Sequence, residues 1–200
     1  YDALGRKITE TDPLNGVSRY EYDALDQLKK VIDAKNGTTI YQYNAFGEKV
    51  AQQSRDTGAT SDQYQNGQLL EKVDANQRKH QYQYDAQGRV ILQKDQYTDG
   101  SDRYEQTSFA YGTTGNNLGK LTSANNKRAE TQLNYNSLGL VAEKSVKYLT
   151  TQKTTAPQLK THYAYSAGGK LKQIGLPSGN IVNYDYNATG QVTGIRFNDQ

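Results

Sequence analysis

The sequence predicts an all-β protein, a repetitive strip of antiparallel β-hairpins. Three observations lead there: a phrase that returns at a period of about 21 residues, aromatic residues that alternate with polar ones at period two, and a turn signature between the alternating stretches. A tyrosine anchors each copy of the phrase, at Tyr1, Tyr22, Tyr43, Tyr64, Tyr84, Tyr111, Tyr135, Tyr165 and Tyr186, with intervals of 21, 21, 21, 20, 27, 24, 30 and 21 residues. A short polar residue follows the anchor at Asp2, Asp23, Asn44, Asp85, Asn136, Ser166 and Asn187. Two variable positions then lead to Gly5, Gly47, Gly88, Gly139, Gly169 and Gly190, with Asp26 in the glycine slot of the second copy. The fourth copy is one residue short in its turn and the sixth is long.

Each element of the phrase has a physical reason. Asp, Asn or Ser opening a turn accepts a hydrogen bond from a backbone N–H two residues on, and glycine supplies the left-handed conformation that closes a short hairpin loop with a bulge. Ahead of the turn, Tyr20 and Tyr22, Tyr41 and Tyr43, Tyr82 and Tyr84, Phe109 and Tyr111, Leu133 and Tyr135, Tyr163 and Tyr165, and Tyr184 and Tyr186 alternate with mostly polar residues, the pattern of a strand with one aromatic face. Two residues past the glycine slot sits Lys7, Leu28, Lys49, Val90, Leu171 or Val192, and in the lysine copies an aliphatic residue comes one place later, Ile8 or Val50. A second strand then reaches a second turn, such as Asn36-Gly37. Each copy therefore holds two short strands and two turns, and no helix longer than a turn or two is expected. Residues 1–200 are expected to form one continuous array of about nine copies, with longer loops or extended hairpins at 97–117 and 147–158.

Composition bounds the ways such a chain can be stabilised. Only 34% of it is hydrophobic and its mean hydropathy is −0.94, which alone would favour disorder. Its 17 tyrosines and strict repeat oppose that reading. Tyrosines recurring on one face are expected to stack as ladders, each burying roughly 150–250 Å², with the phenolic tip left wet. There is no cysteine, so disulfides and thiolate metal sites are excluded. The net charge of +3 is too small to nominate nucleic acid as a partner. No apolar run approaches the roughly 18 residues that span a bilayer. The chain opens at Tyr1, inside a copy of the repeat, and is expected to be a piece of a longer protein.

The phrase Y-x-Y-D-x-x-G-x-L resembles the YD repeat of the Rhs family, found in bacterial Rhs polymorphic toxins, in the B and C components of insecticidal toxin complexes, in wall-associated proteins and in teneurins. It is carried by YDALGRKI from Tyr1, YEYDALDQL from Tyr20, YQYNAFGEKV from Tyr41, YQYDAQGRV from Tyr82, YAYSAGGKL from Tyr163 with the linker GLPSGN from Gly175, and YDYNATGQV from Tyr184. The resemblance implies a wide β-strip that spirals into a hollow shell or barrel. In the toxin members that shell encloses a C-terminal toxic polypeptide and is delivered out of the cell by a secretion machine. The expected partners are the remainder of the same shell and the enclosed toxin, together with a component of the secretion machine. The family's end-of-shell motif, with the aspartates that support self-cleavage, is absent. The segment from Asp12-Pro13 to Gly16 only echoes it, and reads as an inter-repeat turn. An alternative reading is a cell-surface adhesion or carbohydrate-binding module that engages surface glycans.

No catalytic constellation is expected, nor any cofactor. Asp56-Thr57-Gly58 matches the tripeptide of aspartic proteases but falls in a turn slot. His80 and His162 stand before tyrosine-rich strands, with no carboxylate cluster beside them in sequence. The recurring Asp/Asn slot offers one carboxylate per turn, where calcium needs six to eight converging oxygens. Asn36-Gly37-Thr38 and Asn187-Ala188-Thr189 match the glycosylation pattern at turn positions.

Overall fold

The computed structural model describes residues 1–97, 101, 103–149 and 157–198, in two compact units, Tyr1–Glu105 and Gln106–Gln200. The first unit holds β1 (Thr9–Thr11), β2 (Val17–Tyr22), β3 (Leu28–Ile32), β4 (Thr38–Tyr43), β5 (Lys49–Ser54), β6 (Gly58–Gln65), β7 (Gln68–Val73), β8 (Lys79–Tyr84) and β9 (Val90–Gln96). Every strand pairs antiparallel with the next. The second unit opens within β10 (Tyr104–Tyr111). It continues through β11 (Leu121–Asn126), β12 (Ala129–Tyr135), β13 (Val141–Tyr148), β14 (Gln158–Tyr165), β15 (Leu171–Gly175), β16 (Ile181–Tyr186) and β17 (Val192–Asn198), again each antiparallel to the next. The helical content among the described residues is one 3-10 turn, Gly115–Asn117, in the long sixth copy. The fold is all-β and built of hairpins in series, as the periodicity predicts.

The turns explain why these segments fold locally. In the first, the Gly5 N–H donates to the Asp2 carbonyl at 3.0 Å and the Asp2 N–H to the Arg6 carbonyl at 2.9 Å. Asp2 Oδ1 meanwhile accepts the N–H groups of Leu4 at 3.0 Å and Arg6 at 2.9 Å. This is a three-residue loop with its last residue left-handed. The same bonds recur from Asp23, Asn44, Asp85 and Asn136, and the opposite ends of the strands reuse them from Asp12, Asp33 and Asp74. There the left-handed position is held by Asn15, Asn36 and Gln77 rather than glycine. The shortened fourth copy is a two-residue loop, Asn66-Gly67, with φ of 52° and 76°, the pairing that a type I′ turn requires.

Eight anchor tyrosines, from Tyr22 to Tyr186, each face a one-residue bulge in the partner strand. Tyr43, for example, is paired with Lys49 while Gln42 is paired with Ala51, so Val50 is the extra residue. Such bulges bend the strand and increase its twist. Across a hairpin the aromatic face is half-buried and the other exposed, as in β4, where Tyr41 and Tyr43 are covered and Ile40 and Gln42 face solvent. Among the described residues no apolar side chain is fully buried. A single layer of sheet has no second layer to cover its face, so cohesion must come from the contacts between neighbouring hairpins.

Of the two stretches expected to form longer loops or extended hairpins, residues 98–100, 102 and 150–156 lie outside the described residues. The flanking strands β10, β13 and β14 each run for eight residues.

Candidate functional site

The recurring constellation in this chain is the joint between one hairpin and the next. Ladders between hairpins are short: β3 meets β4 at Lys30, Val31 and Ile32 only, and β7 meets β8 at Glu71, Lys72 and Val73 only. Toward the tyrosine-bearing turns these strands part, leaving a carbonyl just past the preceding turn without a ladder partner. The anchor tyrosine of the following hairpin fills the gap. Tyr43 donates its hydroxyl to the Leu28 carbonyl at 3.0 Å and Tyr84 to the Leu69 carbonyl at 2.8 Å. Tyr22 reaches Lys7, Tyr135 reaches Leu121, Tyr165 reaches Val141 and Tyr186 reaches Leu171, all between 2.7 and 3.0 Å.

This corrects two expectations. The hydroxyls of these six anchors are not wet tips, because the diverging strands present an unpaired carbonyl that a half-buried ring edge can satisfy. Nor do successive anchors stack as a ladder. Two strand spacings separate them, about 9.5 Å, beyond the 4.5–7 Å range of ring pairs. Over three anchor rings a cation stands instead: Arg6 lies 4.9 Å from the Tyr22 centroid, Lys120 5.5 Å from Tyr135 and Lys170 5.6 Å from Tyr186. Burial raises the phenol pKa of Tyr43 and Tyr165 above its ordinary value.

The cations come from the position directly after the glycine slot, whose role sequence reasoning missed. Its side chain leans over the next turn. Gln27 Nε2 stands 3.0 Å from where a Cβ on Gly47 would be, and Gln68 Nε2 stands 3.4 Å from one on Gly88. Arg6 also donates to Asp26 Oδ1 at 2.7 Å and to the Asp23 carbonyl at 3.3 Å. The signal was present as a run of long polar residues after the glycine, including Arg6, Gln27, Gln68, Arg89, Lys120 and Lys170.

The remaining anchor-face residues sit beside these joints. Tyr20 donates to Glu10 Oε2 at 2.9 Å. Tyr41 lies under Lys49 Nζ at 5.8 Å, while Tyr82, Tyr163 and Tyr184 line the same half-buried face. Tyr1 is exposed. Gly5, Gly47, Gly88, Gly139, Gly169 and Gly190 all have φ between 76° and 90°. Asn187 Oδ1 accepts the Gln191 N–H at 2.9 Å. Tyr64 departs from the pattern with its two-residue turn, and the neighbouring Asp62, 8% exposed, has a carboxylate oxygen without a hydrogen-bond partner. Replacing Asp62 by leucine is expected to stabilise the chain by about 1 kcal/mol or more, since an unpaired buried polar group is costly; a denaturant midpoint that falls instead would show the carboxylate to be satisfied.

Two carboxylates that do not neighbour His80 in sequence flank it in space. Nδ1 lies 2.6 Å from Asp95 Oδ1 and Nε2 lies 3.3 Å from Asp74 Oδ2. The carboxylates sit on opposite ring nitrogens, which clamps the imidazole and does not converge on one ion. Neither was visible in sequence: the register of β8 with β9 sets Asp95 opposite His80, and Asp74 reaches the ring from the loop between β7 and β8. His162 Nδ1 and Lys160 Nζ both turn to Glu143, at 3.5 and 3.4 Å. Asp56 and Thr57 direct their N–H groups at Ser54 Oγ in an exposed turn.

Asp74 carries the strongest electrostatics. Burial alone would raise its pKa, but the Arg78 backbone N–H, the Arg78 guanidinium and His80 together hold it at about 2, against an ordinary 3.8. A carboxylate depressed on folding stabilises fully above its unfolded value and ceases to do so as pH falls through the folded one. The melting temperature of the wild type should therefore exceed that of Asp74→Asn most above pH 3.8, and the gap should close as pH falls toward about 2. A gap that is constant across this window would exclude Asp74 as its source.

The sequence model of the RHS Repeat family matches residues 1–38, 22–59 and 65–102. Over residues 1–59 and 65–102 the chain carries repeats of the RHS-repeat family. Among solved structures this RHS-repeat chain is similar to TcdB2-TccC3 without its hypervariable C-terminal region, at 21% identity and a TM-score of 0.81, over 99% of this chain and 11% of that one. It is similar to TcdB2-TccC3-Cdc42 at 20% identity and 0.78, over 92% and 10%. Its similarity to the Tc holotoxin pore of Photorhabdus luminescens is 22% identity and 0.76, over 95% and 11%. The RHS-repeat chain spans about a tenth of the length of these solved chains, and the likeness is one of fold. No curated protein matches it.

Proposed function

We propose that this chain is a wall segment of an RHS-type shell that encloses a C-terminal toxin polypeptide for delivery out of a bacterial cell, and that it acts without catalysis of its own. In this reading residues 1–200 form one continuous array of nine repeats, whose partners are the rest of the shell and the enclosed toxin. The single observation that carries the proposal is the joint. Six tyrosines each tie one hairpin to the one before it, using the same carbonyl position and no residue reserved for chemistry. A joint that needs nothing but the preceding copy can be extended indefinitely, as a wall requires. The fold likeness to TcdB2-TccC3 supports the same reading.

Electron microscopy of the full-length protein that carries this segment tests it. A closed shell with additional density inside is the expected result. An open strip with nothing enclosed, or a hydrolytic activity lost on a single substitution within residues 1–200, would overturn it.

A further inference from the structure

We propose that Asn66 is a site of spontaneous deamidation, and that the turn chemistry of the other hairpins suppresses the same reaction elsewhere in the chain. Asn-Gly occurs three times in the sequence, at Asn15-Gly16, Asn36-Gly37 and Asn66-Gly67. In the reaction the glycine backbone nitrogen attacks the asparagine Cγ. The new N–Cγ bond forms and the Cγ–Nδ2 bond breaks; the glycine N–H proton passes to solvent, and the departing NH2 group takes a proton from solvent and leaves as ammonia. Water then opens the cyclic imide to aspartate or isoaspartate. The step needs a glycine nitrogen that is not already committed as a donor.

At two of the three sites it is committed. The Gly16 N–H donates to Asp12 Oδ1 at 2.8 Å and the Gly37 N–H donates to Asp33 Oδ1 at 2.7 Å, each a charge-assisted bond. The carbonyls of Gly16 and Gly37 are held as well, by the N–H groups of Asp12 and Asp33. Asn66 lies in the two-residue loop between β6 and β7, where no Asp precedes the turn and the flanking pair is Gln65 with Gln68. Neither the Gly67 N–H nor the Asn66 amide has a hydrogen-bond partner, and both residues are exposed. The same shortening that makes this turn a type I′ loop removes the carboxylate that protects the others.

The product carries one more negative charge, beside Glu48, whose Oε1 lies 3.9 Å from the Cβ position on Gly67. Isoaspartate also inserts an extra carbon into the backbone of a two-residue turn.

The experiment is incubation of the folded chain at mildly alkaline pH, followed by tryptic peptide mass spectrometry that scores the three sites in the same sample. Asn66 is expected to convert roughly tenfold or more faster than Asn15 and Asn36, the factor that breaking one charge-assisted hydrogen bond imposes on local opening. Conversion of Asn15 or Asn36 at the rate of Asn66, or an intact Asn66, would overturn the proposal. Asp33→Ala should accelerate Asn36 alone. Asn15 reports on folding in that variant, so a rise confined to Asn36 supports the clamp, and an unchanged Asn36 in a chain whose Asn15 stays slow refutes it. If Asn15 rises as well, the variant has unfolded, and Gly37 protection is then read from its amide hydrogen exchange in the wild type, where exchange as fast as that of Gly67 counts against the clamp.

Discussion

Tyr43→Ala is expected to destabilise the chain by about 2–4 kcal/mol, and Tyr43→Phe by about 1 kcal/mol or more. The two substitutions separate the parts of one joint. Alanine removes a half-buried ring that fills the wedge between β3 and β4, where the ladder has ended at Lys30. Phenylalanine keeps the ring and deletes the hydroxyl, leaving the Leu28 carbonyl without the bond it makes at 3.0 Å. Tyr148, which is 57% exposed, is the control, and its change to alanine is expected to cost under about 0.5 kcal/mol. Urea denaturation of the four proteins reads all these differences. A phenylalanine variant as stable as the wild type would mean that solvent satisfies Leu28 and that the joint is the ring alone. If Tyr43→Ala and Tyr148→Ala cost the same, the anchor has no special place in the sheet.

The hairpins were legible because each rests on local chemistry. The period-two alternation names the strand and its face, and Asp, Asn or Ser three residues before glycine names the loop; both are written within one copy of the phrase. The ambiguous aliphatic position after the glycine slot was also legible in outline. In the lysine copies Lys49 pairs with Tyr43 and Val50 is the bulge residue, so the two adjacent positions of the sequence pattern are the two residues that oppose one tyrosine. What sequence did not show lies between copies. The destination of the Tyr43 hydroxyl is 15 residues away, and it depends on how soon β3 and β4 part. The clamp on His80 joins residues 6 and 15 positions distant, one across a turn and the other across the register of β8 with β9. Asp62 illustrates the limit from the other side, since a charged residue in a polar chain gives no sign that the fold will bury it.

Gly88→Val is expected to cost about 2 kcal/mol or more, while Gln87→Val, one position earlier in the same loop, should fall within about 0.5 kcal/mol. Gly88 has φ of 77°, a conformation in which an L side chain crowds its own backbone, and a β-branched one most of all. A Cβ there would also stand 3.4 Å from Gln68 Nε2, the side chain that leans over this turn from the preceding hairpin. Gln87 is exposed, its backbone N–H is already held by Asp85 Oδ1 at 2.9 Å, and valine would remove only the exposed bond that Arg89 donates to its side chain at 3.3 Å. The opposite ends of the strands supply the reverse experiment. Gln77 occupies the same left-handed position with φ of 62°. Gln77→Gly should therefore stabilise the chain by about 0.5–1 kcal/mol, the relief of left-handed strain less the entropy that glycine adds to the unfolded state. Opposite signs at Gly88 and Gln77 in thermal melts would establish that conformation sets the residue in this slot. A loss at both positions would instead mean that at Gln77 the entropy glycine adds to the unfolded state outweighs the left-handed strain it relieves, so that conformation alone does not choose the residue there.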